Sequence, residues 1–165
     1  YDKEIDSLKE VIRIDPANTR ARMEMGRAYG ALDHTGQQIA AYRKILADQP
    51  THIPALLDLG MTLERTGRPD EAIALFSRAR DLEPANELIH YNMGVMYSRM
   101  NRTGDAIDAF VQAIRLNPRM APAHLNLGVS YLKQGQRKKA LDQYAILREL
   151  DADAARELFD LIYPK

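Results

Sequence analysis

Prolines and glycines recur in this chain at one fixed interval. Four prolines and four glycines keep the same step: Pro16, Pro50, Pro84 and Pro118, and Gly26, Gly60, Gly94 and Gly128. Because a period of roughly 34 residues matches one supersecondary unit, it predicts stacked repeats rather than a single globular core. The function of such a chain then depends on what binds along the stack.

Composition excludes several classes of function. The chain has 23 basic and 23 acidic residues, so it lacks the positive charge typical of nucleic-acid-binding proteins, and we predict no nucleic-acid partner. It has no cysteine, which excludes disulfides, iron–sulfur clusters and thiolate zinc sites. No apolar run reaches the ~18–20 residues of a membrane span, so we predict no membrane insertion. The cytoplasm and the periplasm are equally compatible with this composition, and the localisation stays unknown.

Aligning the chain on this interval gives four rows, each with two amphipathic helices. In rows 19–52, 53–86, 87–120 and 121–154, large residues lie one position before each repeated glycine and three after it, which is helical spacing. An aliphatic residue followed three positions later by an aromatic one predicts a second helix, which the proline ends. Helix A carries Met25, Leu59, Met93 and Leu127 with Tyr29, Leu63, Tyr97 and Tyr131, and helix B carries Ile39, Ile73, Ile107 and Leu141 with Tyr42, Phe76, Phe110 and Tyr144.

Turn and cap residues mark the helix boundaries. Gly67 and Gly135 suit the left-handed conformation that ends many helices. Pro69 suits the first position of a helix B, and Asn18 and Asn86 are predicted N-caps of helices A. The second helix A is therefore expected over about 53–66.

The repeated glycines predict close packing of helix A against its neighbour. A side chain there would hold the helices apart, so we expect glycine to let their backbones approach, at a cost of about 1 kcal/mol in helix propensity. Equivalent positions of successive rows are called a column. One column of helix B holds small residues, Ala72, Ala106 and Ala140, in the last three rows, but the first row has Gln38 at that position.

Half-repeats flank the four rows. Residues 1–18 have the apolar pattern of a helix B and are interpreted as part of a truncated preceding repeat. Residues 155–165 are interpreted as a C-terminal capping helix or the start of a further repeat. Unpaired end faces of this kind expose apolar surface, which favours self-association.

These columns resemble those of the tetratricopeptide repeat (TPR) family. The third row shows the family pattern well, with Met93-Gly94, Tyr97, Ala106, Phe110, Ala113 and Pro118. The resemblance implies an all-α fold, a right-handed α-solenoid of helix-turn-helix repeats with four complete repeats plus flanking helices. Packing roles are expected at the family's tryptophan position, which is occupied by Arg22, Leu56, His90 and His124.

No group of residues predicts catalysis. The four histidines have no further ligands at metal-binding spacing, no serine has a recurring motif around it, and no glycine-rich phosphate loop is present. We therefore predict no catalytic residue, no metal and no cofactor. The sequon Asn101-Arg102-Thr103 is interpreted as a chance match.

The candidate binding residues are the helix A residues that lie outside the repeated packing positions. In TPR proteins the corresponding positions line a concave groove that binds peptides, so the resemblance implies contacts there. The candidate partner-binding residues are Leu57, Met61, Arg65, Tyr91, Asn92, Val95, Arg99, Leu125, Asn126, Val129 and Lys133. The structural alternative is that the aliphatic residues pack between neighbouring A helices and that the polar ones are merely solvated.

Two amides share one column of this surface. Asn92 and Asn126 each carry a donor and an acceptor and so could pair with a peptide backbone, but Glu24 and Asp58 occupy the same column in the first two rows. The carboxylate clamp of TPR co-chaperones is absent, since its positions hold residues of the wrong type: Leu57, Met61, Pro122 and Asn126 around the middle Asn92.

The predicted function is a non-enzymatic protein–protein interaction scaffold that binds a peptide or helical segment of a partner in the groove. One alternative is a self-assembly module that forms homo-oligomers through exposed end faces. Another is the substrate-recruiting arm of a larger enzyme.

Overall fold

Residues 1–164 are described by a computed structural model, and within them the chain forms ten α-helices and no β-strand. The helices are α1 (Asp2–Ile14), α2 (Thr19–Ala31), α3 (Thr35–Asp48), α4 (Ile53–Arg65), α5 (Pro69–Leu82), α6 (Glu87–Arg99), α7 (Thr103–Leu116), α8 (Ala121–Lys133), α9 (Arg137–Leu150) and α10 (Ala152–Ile162).

The helices form two compact units. Unit 1 is Tyr1–Leu82 and contains α1 to α5, and unit 2 begins at Glu83 and contains α6 to α10. In unit 1, α2 pairs with α3 and α4 with α5, while α1 packs on α2 and α3 on α4. In unit 2, α6 pairs with α7 and α8 with α9, and α10 packs on both α8 and α9. The expected boundary between 154 and 155 falls inside α10, because that helix already begins at Ala152.

The capping residues lie where the sequence predicts them. Asn18 accepts a hydrogen bond from the backbone N–H of Ala21, and Asn86 accepts one from that of Leu88. Gly67 and Gly135 have φ angles of 75° and 71° and end α4 and α8 in the left-handed conformation. The helix starts and stops of the repeats are thus fixed by short-range chemistry that is legible in the sequence.

Two further left-handed residues and two further side-chain caps, His52 of α4 and Asp151 of α10, are not predicted from the sequence. Asp33 and Asn101 have φ angles of 57° and 58° and lie one repeat before Gly67 and Gly135, respectively. Asp and Asn tolerate this conformation better than other non-glycine residues, so the period itself contained the signal. At the start of α4, His52 Nδ1 accepts a hydrogen bond of 3.2 Å from the N–H of Ala55.

Three of the four repeated glycines accommodate aromatic rings rather than a neighbouring backbone. A Cβ added to Gly26, Gly60 or Gly94 would lie 2.5, 2.9 or 2.6 Å from a ring carbon of the aromatic residue on helix B of the same repeat. The expectation of backbone-to-backbone approach was therefore wrong in detail. The rings concerned, which are almost completely buried, are Tyr42, Phe76 and Phe110.

The first repeat compensates for its large helix-B residue. Gln38 replaces the alanine of the other repeats, and its side chain lies against Gly30, where an added Cβ would be 2.5 Å from Gln38 Nε2. Gln38 is 9% exposed, and its Oε1 accepts a hydrogen bond of 3.1 Å from Arg65 Nη2. The polar side chain is therefore tolerated because it has both space and a partner.

Candidate functional site

Unit 2 brings six of the predicted residues together on two neighbouring helices. Within α6 and α8 the predicted residues recur one and four positions apart, so each helix presents them on one side. We call this surface the amide face, and it consists of Tyr91, Asn92, Val95, Leu125, Asn126 and Val129.

A hydrogen bond between α6 and α8 organises the amide face. Asn126 Nδ2 donates to the Tyr91 hydroxyl oxygen over 3.2 Å. The Tyr91 ring also packs on Phe110, with ring centroids 6.0 Å apart and planes tilted by 49°, which is a favourable aromatic geometry. Both Tyr91 and Asn126 are half-buried. The Tyr91 ring therefore has a fixed position, and through it the orientation of the Asn126 amide is fixed as well.

Asn92 lies beside Tyr91 on α6 and differs from Asn126 in its bonding. Its side chain is half-buried, and it makes no hydrogen bond to any residue in the part of the chain that the structure describes. An amide offers two donors and one acceptor oxygen. The hydrogen-bonding capacity of Asn92 is thus directed to solvent or to a bound molecule.

The aliphatic residues of the amide face have packing roles as well. Val95 packs, with Tyr91, against the buried cluster of Ala106, Phe110 and Leu127. Leu125 and Val129 pack against a second buried cluster, which α9 and α10 build. All three are half-buried, so each retains an exposed part. The structural alternative is therefore correct for a portion of each side chain.

The predicted cations of unit 2 lie at the C-terminal ends of their helices. Arg99 is the last residue of α6 and Lys133 the last of α8, and both are exposed. Lys133 Nζ lies 3.4 Å from Ser98 Oγ. Cations at this end are stabilised by the helix dipole, which is a structural reason for their presence.

Three predicted residues lie in unit 1, on one side of α4. Leu57 is half-buried, and Met61 is 45% exposed. Arg65 is exposed but donates to Gln38, as described above. These residues belong to unit 1, whereas the amide face belongs to unit 2.

The same side of unit 1 carries ion pairs that the sequence reasoning missed. Arg27 Nε lies 3.2 Å from Asp58 Oδ2 and so connects α2 with α4. Arg20 Nε lies 3.0 Å from Glu24 Oε1 within α2. Both carboxylates in the column of the two asparagines are thus paired in unit 1. The spacing of Arg27 and Asp58 across two repeats was the only signal that could have revealed the longer pair.

The histidines at the family's tryptophan position contact the preceding proline turn, and His124 is also buried, as expected for a packing role. His124 is 3% exposed, with Nε2 lying 2.9 Å from the Pro118 carbonyl oxygen and Nδ1 lying 2.8 Å from Gln143 Oε1. His90 Nε2 lies 2.9 Å from the Pro84 carbonyl oxygen. Each ring thus ties the start of its helix A to the proline turn before it.

Burial affects the acidity of two tyrosines. Burial raises the pKa of Tyr42 above its ordinary value of 10.0, and this effect outweighs the hydrogen bond with Gln38, which lowers that pKa. Burial and the charge of Asp108 raise the pKa of Tyr131 in the same direction. Both groups are neutral near pH 7, so neither is a base or a nucleophile there.

Residues 1–164 contain neither a metal-binding cluster of side chains nor a membrane-spanning helix. Histidines and carboxylates there do not form a group of three or more around a common point that could hold a metal ion. None of the described helices is both long enough and apolar enough to cross a lipid bilayer.

Comparisons with known proteins bear on the fold. The family model for the N-terminal TPR repeats region of psidin matches residues 27–147. A crystal structure of MamA superposes with a TM-score of 0.80 at 24% identity, covering 92% of this chain and 89% of MamA. MamA from Desulfovibrio magneticus RS-1 gives a TM-score of 0.80 at 22% identity, covering 90% of this chain and 84% of that one.

YrrB is a further structural relative. Described as a TPR protein with an unusual peptide-binding site, it superposes with a TM-score of 0.76 at 19% identity, covering 94% of this chain and 81% of its own. No curated protein sequence matches the chain. At these identities the structural likeness concerns the fold, and it confirms the predicted all-α array of helix pairs.

Proposed function

Because the chain belongs to the tetratricopeptide repeat family, whose stacked helix pairs serve as protein-interaction scaffolds, we propose that it is a non-enzymatic scaffold that binds a peptide segment of a partner on the amide face. The observation that carries the proposal is the hydrogen bond from Asn126 to Tyr91, which orients polar groups with unused capacity beside half-buried aliphatic side chains.

The unused polar groups suit a peptide backbone. Asn126 uses one N–H in its bond to Tyr91 and retains a second N–H and its Oδ1. The Tyr91 hydroxyl accepts that bond and retains its own O–H for donation. Asn92 adds a complete amide. A backbone in extended conformation presents unpaired N–H and C=O groups, whereas a helical one has already paired them, so we favour an extended segment as the ligand.

The aliphatic residues supply the apolar part of the binding energy. Val95, Leu125 and Val129 lie half-buried beside the polar groups, so a ligand side chain that covers their exposed part removes more apolar surface from water. The Tyr91 ring is held by Phe110. A surface ordered before binding loses little conformational entropy when the ligand arrives.

Charged residues at the edge of the amide face favour an acidic ligand flank. We assign Arg99 and Lys133 this secondary role, since both are exposed at helix ends in unit 2 and rim charges contribute more to association rate than to affinity. In unit 1, Leu57, Met61 and Arg65 offer a separate candidate contact surface, in which Met61 is the exposed apolar group.

Selection from a phage-displayed library of random peptides tests the proposal. The immobilised chain of residues 1–165 is the bait, and Tyr91→Phe/Asn126→Leu is the counter-bait, because it removes the polar groups and retains the size of the side chains. We expect peptides that bind the parent protein with affinities measurable by calorimetry and that lose most of that affinity for the double variant.

A matched control comes from unit 1. The Arg27→Leu/Asp58→Leu variant replaces the ion pair that connects the A helices there and should retain binding of the selected peptides. Equal affinity of the parent protein and of Tyr91→Phe/Asn126→Leu, with both folded by circular dichroism, contradicts binding on the amide face.

Self-association is a second candidate function. It is favoured by exposed apolar side chains on α10 and beside it, where Phe159, Leu161 and Tyr163 are 41%, 49% and 45% exposed. Sedimentation velocity at increasing concentration tests it. A particle mass that grows with concentration and returns to the monomer value in Phe159→Asp supports self-association, and a constant monomer mass rejects it.

A further inference from the structure

The fourth helix pair packs differently from the other three. In the first three pairs an aromatic ring of helix B fills a slot against the repeated glycine of helix A. In the fourth pair the slot against Gly128 is filled by Leu158 of α10, whose Cδ2 would lie 2.5 Å from a Cβ at Gly128. Leu158 is completely buried there. The next nearest side chain is Gln143 at 3.4 Å.

The aromatic residue of the fourth pair is not among the side chains nearest to Gly128. Tyr144 occupies the column of Tyr42, Phe76 and Phe110, yet it is half-buried, whereas those three rings are at most 1% exposed. Its ring lies 5.5 Å from that of Phe159, which in turn lies 4.8 Å from that of Tyr163. Tyr144 and Phe159 line a cleft of about 340 Å³ between α9 and α10.

The slot has room for one of the two side chains. Closely packed interiors do not admit a second group where one already makes contacts at van der Waals distance. Tyr42 shows that a tyrosine fits such a slot, since its ring lies against Gly26 with 1% exposure. Leu158 and Tyr144 are therefore mutually exclusive occupants of one position.

We propose that α10 and Tyr144 compete for this slot, so that the fourth helix pair has two packing states. In the docked state, Leu158 fills the slot and Tyr144 stacks on Phe159. In the released state, Tyr144 fills the slot as in the other pairs, and α10 leaves α8. Packed elements of this kind switch between discrete arrangements rather than deforming continuously.

The competition controls part of the amide face. Leu125 and Val129 pack against a cluster of five buried residues, three of which belong to α10: Ala155, Leu158 and Ile162. Release of α10 removes these three and exposes more of Leu125 and Val129. In the docked state α10 therefore acts as an autoinhibitory contact, a consequence that rests on the proposed peptide binding. The slot exchange itself does not depend on any ligand.

Nuclear magnetic resonance of Leu158→Ala tests the exchange directly. Gly94 lies against the Phe110 ring, so its Hα resonances serve as an internal reference for a glycine in an aromatic slot. We expect Leu158→Ala to move the Gly128 Hα resonances in the direction of those of Gly94 and to give nuclear Overhauser contacts between Gly128 and the Tyr144 ring. Tyr144→Phe, which removes the hydroxyl that the slot would have to desolvate, should move them in the same direction by a smaller amount.

The control is Leu161→Ala, on the same helix but 49% exposed, which should leave the Gly128 resonances unchanged. Faster amide hydrogen exchange in α10 of Leu158→Ala without any contact between Gly128 and Tyr144 would overturn the proposal, because α10 would then be loosened without an exchange of occupants.

Thiol reactivity tests the effect on the amide face. The chain has no cysteine, so Val129→Cys introduces a single thiol whose reaction with Ellman's reagent reports exposure. Because loss of a buried leucine strongly favours opening of a docked helix, we expect the reaction to be about tenfold faster or more in the Leu158→Ala background. The Leu161→Ala background should leave the rate unchanged.

An equal thiol reaction rate for Val129→Cys alone, with Leu158→Ala and with Leu161→Ala would overturn the autoinhibitory role. Neither experiment contains a ligand, so a negative result here leaves peptide binding to the amide face untouched. Likewise, a failure of peptide selection leaves the slot exchange untouched.

Discussion

Neighbouring A helices are connected by charges in unit 1 and by neutral groups in unit 2. Between α2 and α4, Arg27 Nε lies 3.2 Å from Asp58 Oδ2. Between α6 and α8, Asn126 Nδ2 donates to the Tyr91 hydroxyl over 3.2 Å. Asp58 and Asn126 occupy the same column of the repeat, in the second and fourth rows. One backbone arrangement thus carries two different surface chemistries.

The difference indicates which unit is suited to bind a peptide. A ligand that covers the ion pair of unit 1 must desolvate a guanidinium and a carboxylate that already satisfy each other, which costs more than their attraction returns. A ligand on the amide face meets neutral groups with unused donors and acceptors, which form hydrogen bonds as they lose water. The period repeats the framework, and we propose that single substitutions at one position of the repeat decide which surface binds a peptide.

Removal of the buried aromatic ring beneath each surface should have the largest effect on stability. Phe110 and Phe76 are buried and lie in the same slot of their repeats. We expect Phe110→Ala and Phe76→Ala each to lower the free energy of unfolding by about 3–5 kcal/mol, because a buried aromatic ring is lost. Urea denaturation followed by circular dichroism measures this change.

Peptide binding separates the two variants. Phe110 supports Tyr91, so Phe110→Ala should also weaken the binding of selected peptides under conditions where the variant is folded, whereas Phe76→Ala should not. Equal binding by both would show that the position of Tyr91 is irrelevant to the ligand.

The next largest effect should be the loss of peptide affinity when the side-chain amide of Asn126 is removed. Asn126→Leu retains the size of the side chain and removes its hydrogen-bonding groups. We expect the affinity for selected peptides to fall by about tenfold or more, since ligand groups left unpaired on burial cost about 1–3 kcal/mol. Isothermal titration calorimetry measures it, with Asp58→Leu in unit 1 as the matched control that should bind normally.

Removal of the ion pair of unit 1 should have a small effect on stability. Arg27 is mostly exposed, so we expect Asp58→Asn to change the free energy of unfolding by less than about 1 kcal/mol, and by less still in high salt. Urea denaturation at low and high sodium chloride concentration measures this. A loss that is large and independent of salt would contradict a screened surface pair.

The smallest expected effect is a dependence of stability on alkaline pH that arises from Tyr42 in unit 1. Burial raises the pKa of Tyr42 above 10.0, so folding favours its neutral form. The stabilisation is fully present below the unfolded pKa and is lost as the pH rises through the folded pKa. Wild-type protein should therefore lose more stability than Tyr42→Phe as the pH rises past about 10. Thermal denaturation at a series of alkaline pH values measures the difference, and parallel curves would contradict it.

The fold and most helix boundaries follow from the sequence because they depend on local signals that the period repeats. Gly67 and Gly135 end helices, Asn18 and Asn86 start them, and Pro69 fits a first turn. A reader of the sequence therefore needs no long-range information to place the helix pairs. Even the missed left-handed residues, Asp33 and Asn101, lie in the column of these glycines.

Features that depend on partners distant in sequence were not predictable. The hydrogen bond between Tyr91 and Asn126 and the ion pair between Arg27 and Asp58 need the angle between neighbouring A helices. The entry of Leu158 into the slot of Gly128 depends on how α10 sits against α8. Periodicity predicts equivalent roles for equivalent positions, so it misassigned Tyr144, whose position is taken by a residue from outside its own repeat.

Mapping a selected peptide on the isotopically labelled protein is the most direct test of binding on the amide face. Titration of the peptide into the ¹⁵N-labelled chain, followed by two-dimensional spectra, reports both backbone and side-chain amides. We predict that the largest shifts occur along α6 and α8 and include the side-chain amides of Asn92 and Asn126. Shifts confined to α2 and α4, with those two side-chain amides unchanged, would contradict the account.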